Sequence, residues 1–154
     1  MAVRIREDDR RLMERALREA RRAERAGEVP IGAVAACGGE VVAVAHNRTL
    51  TSNDPTAHAE VVLLRRAARK LGSHRLTGLD VYVTLEPCLM CLGALVQARI
   101  ARLIFAATDP KVGAVRLLRR KGVSQGLNHR FPVVRGVLAD EAAALVRGFF
   151  AKRR

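Results

Sequence analysis

Tryptophan is absent, tyrosine occurs once, and with four phenylalanines the aromatic share is only 3%. That scarcity excludes a surface that grips unpaired nucleic-acid bases chiefly by stacking. Cysteine is scarce as well. Three in 154 residues cannot build the bridge framework of a small secreted domain, and the usage fits a reducing compartment such as the cytoplasm. No apolar run reaches the roughly 18 residues that a spanning helix needs. The start of the chain carries Arg4, Arg6, Glu7, Asp8 and Asp9 and shows no apolar leader segment. Acids are also in short supply, 15 against 28 basic residues, for a net charge of +13. Such a field favours a polyanionic partner, nucleic acid first. Of the basic residues only Lys70, Lys111, Lys121 and Lys152 are lysine. A compositional drift towards arginine therefore stands beside partner binding as an explanation.

What is present is enough apolar material for a core, 49% of the residues, and residues 1–154 read as one domain. Leu12, Met13, Ala16, Leu17, Ala20 and Ala23 repeat at helical spacing and predict a helix from about Asp8 to Ala26. Its other face carries Arg11, Arg15, Arg18, Arg22 and Arg25, read as a solvated face. Ile31 to Ala36 and Val41 to Ala45 read as strands joined at Gly38-Gly39-Glu40. Cys37, in this apolar run, is expected to be a buried small hydrophobe. A second helix is expected over Thr56 to Leu71, with Asp54 or Thr56 as cap and Pro55 in its first turn. Val81 to Leu85 reads as a strand and Pro87 to Ala98 as a helix carrying both remaining cysteines. Strands follow at Arg102 to Ala106 and Val133 to Val137, around a basic segment with a helical patch near Leu117 and Leu118. Asp140 opens a last helix. Strands alternating with helices predict a layered α/β domain.

The chemistry lies in His58-Ala59-Glu60 followed by Pro87-Cys88-Leu89-Met90-Cys91. Structural zinc sites usually have four protein ligands, whereas hydrolytic ones keep three and leave a position for water. One imidazole, two thiolates and a nearby carboxylate suit the second kind. A lone CxxC also marks redox pairs, and a lone histidine is more often structural; together they favour metal. A helix start favours thiolates. Two thiolates and a neutral imidazole balance the charge of zinc, whose water ionises near pH 7. Glu60 is placed to carry the proton, the alternative being a solvated first-turn carboxylate. The pattern H-x-E…P-C-x-x-C is the established signature of zinc-dependent nucleobase deaminases.

Further segments narrow the resemblance. They are Glu28-Val29-Pro30-Ile31-Gly32-Ala33-Val34, Asn47-Arg48, Asp54-Pro55-Thr56-Ala57 before His58, Thr84-Leu85-Glu86 before Pro87, Asn128-His129-Arg130, Gly136-Val137-Leu138-Ala139-Asp140-Glu141 and Phe149-Phe150. In this order, along nearly the whole chain, they resemble the bacterial tRNA-specific adenosine deaminases of the cytidine/deoxycytidylate deaminase superfamily. The resemblance implies a three-layer α/β/α cytidine-deaminase-like fold with a mixed, about five-stranded central sheet, working as a cytoplasmic homodimer. It implies hydrolytic conversion of adenosine to inosine at the wobble position of an arginine tRNA, with the anticodon stem-loop as partner. His58, Cys88 and Cys91 would hold one zinc ion per subunit, and Glu60 would be the general acid and base. Asn47 would bond the extruded nucleotide, and Val29, Pro30 and Ala57 would line the base pocket; ordinary turn and packing roles are the alternatives. Asp109 and Lys111 would meet RNA backbone or sugar, or form a solvated loop. Phe149 or Phe150 would support a flipped base, with core packing the expected job of at least one. The chain departs from the family after Ala114, where Val115-Arg116-Leu117-Leu118-Arg119-Arg120-Lys121 replaces small residues and serine.

An unpaired loop nucleotide is the expected target, since a stacked base cannot reach such a site. Arg116, Arg119, Arg120, Lys121, Arg130, Lys152, Arg153 and Arg154 are candidates for phosphate contacts. Two rival readings are a deaminase of a free base or nucleoside, of guanine or cytosine type, and a non-catalytic RNA-binding zinc protein. The charge opposes the first and Glu60 the second, and a redox CxxC protein is more distant still.

Overall fold

In the computed structural model, which describes residues 4–153, the strands alternate between two cores. Ala33, Ala35, Val81, Val83, Leu103 and Phe105 face one, and Val34, Ala36, Tyr82, Ile104, Ala106 and Val134 face the other. A period of two with apolar residues at both phases is the mark of a strand buried on both faces. The strands are β1 (Gly32–Cys37), β2 (Glu40–His46), β3 (Asp80–Leu85), β4 (Arg102–Ala107) and β5 (Val133–Arg135), in spatial order β2-β1-β3-β4-β5. β1 is antiparallel to β2 and β3, whereas β3, β4 and β5 run parallel. Helices α1 (Glu7–Arg25) and α4 (Ala139–Ala151) cover one face, and α2 (Ala59–Leu71) and α3 (Leu89–Ala98) the other. This is the expected three-layer fold with a mixed five-stranded sheet. No described helix is long and apolar enough to cross a membrane.

Several local expectations need correction. α2 starts at Ala59, not Thr56, with His58 as its N-cap in extended backbone. Asp54 instead closes a turn, its carboxylate accepting from the Thr56 backbone N–H at 2.9 Å and hydroxyl at 2.7 Å. Such an Asx turn competes with helix initiation for the same acceptor. α3 likewise begins after Cys88 rather than at Pro87. Cys37 is exposed, because it ends β1 beside the hairpin turn, where the sheet face is no longer covered. Gly38 and Gly39 make that turn with φ of 57° and 84°, which side chains with a Cβ rarely adopt. The segment before β5 holds two short 3₁₀ turns, Val115–Leu118 and Ser124–Gly126, and β5 stops at Arg135. Arg154, one of the expected phosphate contacts, lies outside the described residues.

Away from the carboxyl ends of the strands, a buried ionic cluster ties α1 to the first residues of β3 and β4. Arg102 donates to both oxygens of Asp9, at 3.2 and 2.7 Å, and to Asp80 at 3.1 Å. The Tyr82 hydroxyl donates to Asp9 at 2.7 Å, as does the Arg6 backbone N–H. Asp9 and Arg102 are 0% and 3% exposed. Burial alone would raise the Asp9 pKa, but the donors from Arg102, Arg6 and Tyr82 outweigh it and hold the carboxyl below its ordinary value.

Candidate metal centre and active site

Two helix starts meet beside the carboxyl ends of β3 and β4. Cys88 is the N-cap of α3 and Cys91 lies in its first turn; His58 is the N-cap of α2 and Glu60 lies in its first turn. The spacing of CxxC thus puts both sulfurs on one end of a helix, and the N-cap position turns His58 towards them. Its Nδ1 lies 3.6 Å from Cys88 Sγ and 3.5 Å from Cys91 Sγ. All three donor atoms are within 4.8 Å of one another, so the group could hold a metal ion. The donor set and spacing fit a tetrahedral ion. With metal–nitrogen bonds of 2.0–2.1 Å and metal–sulfur bonds of 2.3 Å, the nitrogen and sulfur of such a site stand about 3.6 Å apart.

Burial sets the electrostatics here. It pushes the Cys91 thiol well above its ordinary pKa, assisted by the carboxylate of Glu60 and by Cys88. Burial thus works against the thiolate that a helix start favours, and a divalent cation is what would draw the proton off. Glu60 is 4% exposed, and burial raises its pKa above the usual carboxylate range. A carboxyl shifted that way holds and releases a proton closer to neutrality than a solvated one.

His58, Cys88 and Glu60 form the floor of a cleft of about 650 Å³, within the 300–1,000 Å³ usual for small-ligand sites. One wall is the last residue of β4, Ala107, with the loop that follows it from Thr108 to Val112; another is α4, through Ala143, Val146, Arg147 and Phe150; a third includes Val29 and Ile31. Of the expected substrate residues, Val29, Asp109 and Lys111 line this cleft. Asn47, Ala57 and Pro30 are buried and are not part of its lining. The Asn47 backbone N–H bonds the Ile31 carbonyl at 3.0 Å. Phe149 is 3% exposed and packed into the fold, whereas Phe150, 47% exposed, lines the cleft. In the divergent segment, Arg116 donates to the Gly113 carbonyl at 2.7 Å, and Arg119, Arg120 and Lys121 are exposed.

Two carboxylates to which the sequence pattern gives no role hold loops in place, and that of Glu86 does so at the cleft. Glu28 is buried, and its oxygens accept from the backbone of Leu50 at 3.1 Å and of Thr51 at 2.7 Å. Glu86 accepts from the Asp109 N–H at 3.1 Å and the Val115 N–H at 3.2 Å, clasping the loop that bears Lys111. Gly113 lets that loop close, since a Cβ there would run into both the Glu86 carboxylate and the Asp109 carbonyl. An acid directly before Pro87-Cys88 is the only signal of this in the sequence. Glu86→Gln turns one accepting oxygen into a donor facing a backbone N–H. Hydrogen bonds to charged groups contribute about 1.5–3 kcal/mol, so kcat/KM is expected to fall about tenfold or more with bound metal unchanged. Steady-state kinetics and elemental analysis on the same preparation check this.

Residues 7–154 match the family model described as MafB19-like deaminase. The chain is 48% identical over 142 residues to the tRNA-specific adenosine deaminase of Agrobacterium fabrum (strain C58 / ATCC 33970), covering 92% of this chain and 93% of that protein. It is 43% identical over 146 residues to the tRNA-specific adenosine deaminase of Bacillus subtilis (strain 168), covering 95% and 91%. A solved structure from biochemical and structural studies of A-to-I editing by tRNA:A34 deaminases at the wobble position superposes with a TM-score of 0.82. It shares 46% identity and covers 88% of this chain and 98% of that one.

Proposed function

Because this chain belongs to the tRNA-specific adenosine deaminases, we propose that it hydrolyses adenosine to inosine at the wobble position of a tRNA anticodon, releasing ammonia. The observation that carries the reading is the His58–Cys88–Cys91 group on the floor of a cleft, with the buried Glu60 beside it. His58 through Nδ1, Cys88 and Cys91 would hold one zinc ion, whose chemistry when bound is Lewis-acid activation of water at neutral pH. Glu60 moves two protons, one from the water to the ring nitrogen, where it stays, and a second from the hydroxyl added at C6 to the departing amine. Val29 and Phe150 line the cleft and are assigned to the extruded base, and Asp109 and Lys111, which also line it, are assigned to flanking backbone or sugar on family resemblance. Asn47, Ala57 and Pro30 complete the substrate assignment on family resemblance.

In this reading residues 1–154 act as a single deaminase domain in the cytoplasm, on the anticodon stem-loop of an arginine tRNA and as a homodimer. Leu89 and Met90, exposed at the start of α3, supply apolar surface compatible with self-association. The test is inosine formation by zinc-loaded protein on an arginine-tRNA anticodon stem-loop with adenosine at the wobble position. Conversion is expected, abolished by chelation, restored by zinc and weakened at high salt, since phosphate contacts release counterions. Folded, zinc-replete protein that leaves this RNA untouched but deaminates a free purine or pyrimidine would overturn the tRNA assignment in favour of a small-molecule deaminase.

A further inference from the structure

α1 carries a charge pattern that its packing does not require. Arg15, Arg18, Arg21, Arg22 and Arg25 line one surface depression, and Glu19 is the only acid lining it. Glu19 is buried and serves Arg22, whose guanidinium lies 3.1 Å from it. Among the described residues, Arg15, Arg18, Arg21 and Arg25 make no ion pair. The first half of the same helix is different: Arg10 pairs with Glu14, and Arg11 pairs with Asp8 and bonds the Gly39 carbonyl. A purely solvated face mixes signs as that half does. Like charges three and four residues apart repel. The helix dipole favours Arg22 and Arg25 in the last turn but does not reach Arg15 and Arg18.

Position gives the track a direction. α1 lies along the sheet. Its start is fixed to the beginnings of β3 and β4 by the Asp9–Arg102 and Arg6–Asp80 contacts. Its end leads through Gly27 and Glu28 to Val29, which lines the catalytic cleft. The unpaired arginines therefore extend from the cleft end of α1 back along the molecule for about 15 Å, at 1.5 Å per helical residue.

We propose that this arginine track docks the phosphodiester backbone of the substrate RNA outside the loop that enters the cleft. The inference rests on the reading of tRNA as substrate, and it replaces the solvated face expected from sequence alone. Arginine suits the role, since its planar donors take phosphate oxygens in pairs, and a duplex stem presents on the order of one charge per 2 Å of axis.

The test compares wild type with Arg15→Gln/Arg18→Gln/Arg21→Gln/Arg25→Gln, which spares the partner of Glu19, and with the matching fourfold Lys variant. Equilibrium binding of full-length tRNA is measured as a function of salt, alongside kcat and KM for inosine formation. For the Gln variant, KM and Kd are expected to rise about tenfold or more with kcat unchanged. The log–log salt slope should become shallower by about 0.7–0.9 for each phosphate that is no longer neutralised. The Lys variant should recover most of the slope. A Gln variant with unchanged Kd and slope overturns the proposal, and so does a Lys variant as weak as the Gln one or a loss confined to kcat. The binding arm needs no turnover, so it reads the track even if the wild-type protein proves to deaminate something else.

Discussion

Glu60→Ala is expected to lower inosine formation at least a hundredfold while leaving the bound metal and the fold intact. The carboxyl is not one of the donor atoms that converge on the metal position; those belong to His58, Cys88 and Cys91. It sits in the first turn of α2 and forms part of the cleft floor, so its removal opens space towards the cleft rather than a sealed void. Burial gives this group its raised pKa. Taking away a buried acid should therefore not weaken the protein, and it can strengthen it. What disappears is the proton carrier, and general acid–base catalysis contributes about 10²–10⁴-fold. Single-turnover rates on the anticodon stem-loop, with metal content and thermal unfolding measured in parallel, separate these effects. A variant that keeps more than about a tenth of the wild-type rate would sink the shuttle role. One that loses its metal would make Glu60 part of the metal site instead.

The ease of reading this site in the sequence has a local cause. His58 and Glu60 are two residues apart and Cys88 and Cys91 three apart, so each pair stays together on one helix end whatever the rest of the fold does. Which imidazole nitrogen faces the sulfurs is not a local property, and only the approach of α2 to α3 fixes it as Nδ1. The core of α1 was legible because its apolar stripe has one period and one buried side. The central strands were legible because nearly every position is apolar on both faces. Boundaries failed where two local acceptors competed, as at Asp54, or where a strand ran past its cover, as at Cys37. Phe149 and Phe150 could not be told apart, since neighbours on a helix point about 100° apart and sequence alone does not say which direction is inward. The Glu86 clasp joins a residue after β3 to a loop after β4, and no periodicity signals such a partnership. The arginine track fell between these cases. Its spacing was visible, but the pairing that distinguishes its two halves was not.

The second large effect is on stability, and it comes from the far end of the sheet. Arg102→Met is expected to cost about 3–5 kcal/mol, the usual result of stripping one partner from a buried ion pair. Asp9 would then be left at 0% exposure with donors only from Tyr82 and Arg6, and burial, the largest influence on its pKa, would go unopposed by a cation. The double change Asp9→Asn/Arg102→Met should regain much of the loss, because no charge is then stranded among the apolar residues of α1, β3 and β4. The pH profile adds an independent sign. In the wild-type protein the Asp9 carboxyl is held below its ordinary value, so the folded state binds this proton less readily than the unfolded one. Its contribution is fully present above about pH 4, near the unfolded value, and is lost as pH falls through the folded-state pKa. Without Arg102 the folded-state pKa moves upward, and the gain in stability on raising pH through this acid range should shrink. Denaturant unfolding of the wild type, the single and the double variant at acid and neutral pH measures both quantities. A single variant that matches wild type in midpoint and pH slope would mean that Arg102 and Asp9 are no more than neighbours. If the double variant is as weak as the single one, the cost lies in lost packing of the arginine stem rather than in a stranded carboxylate.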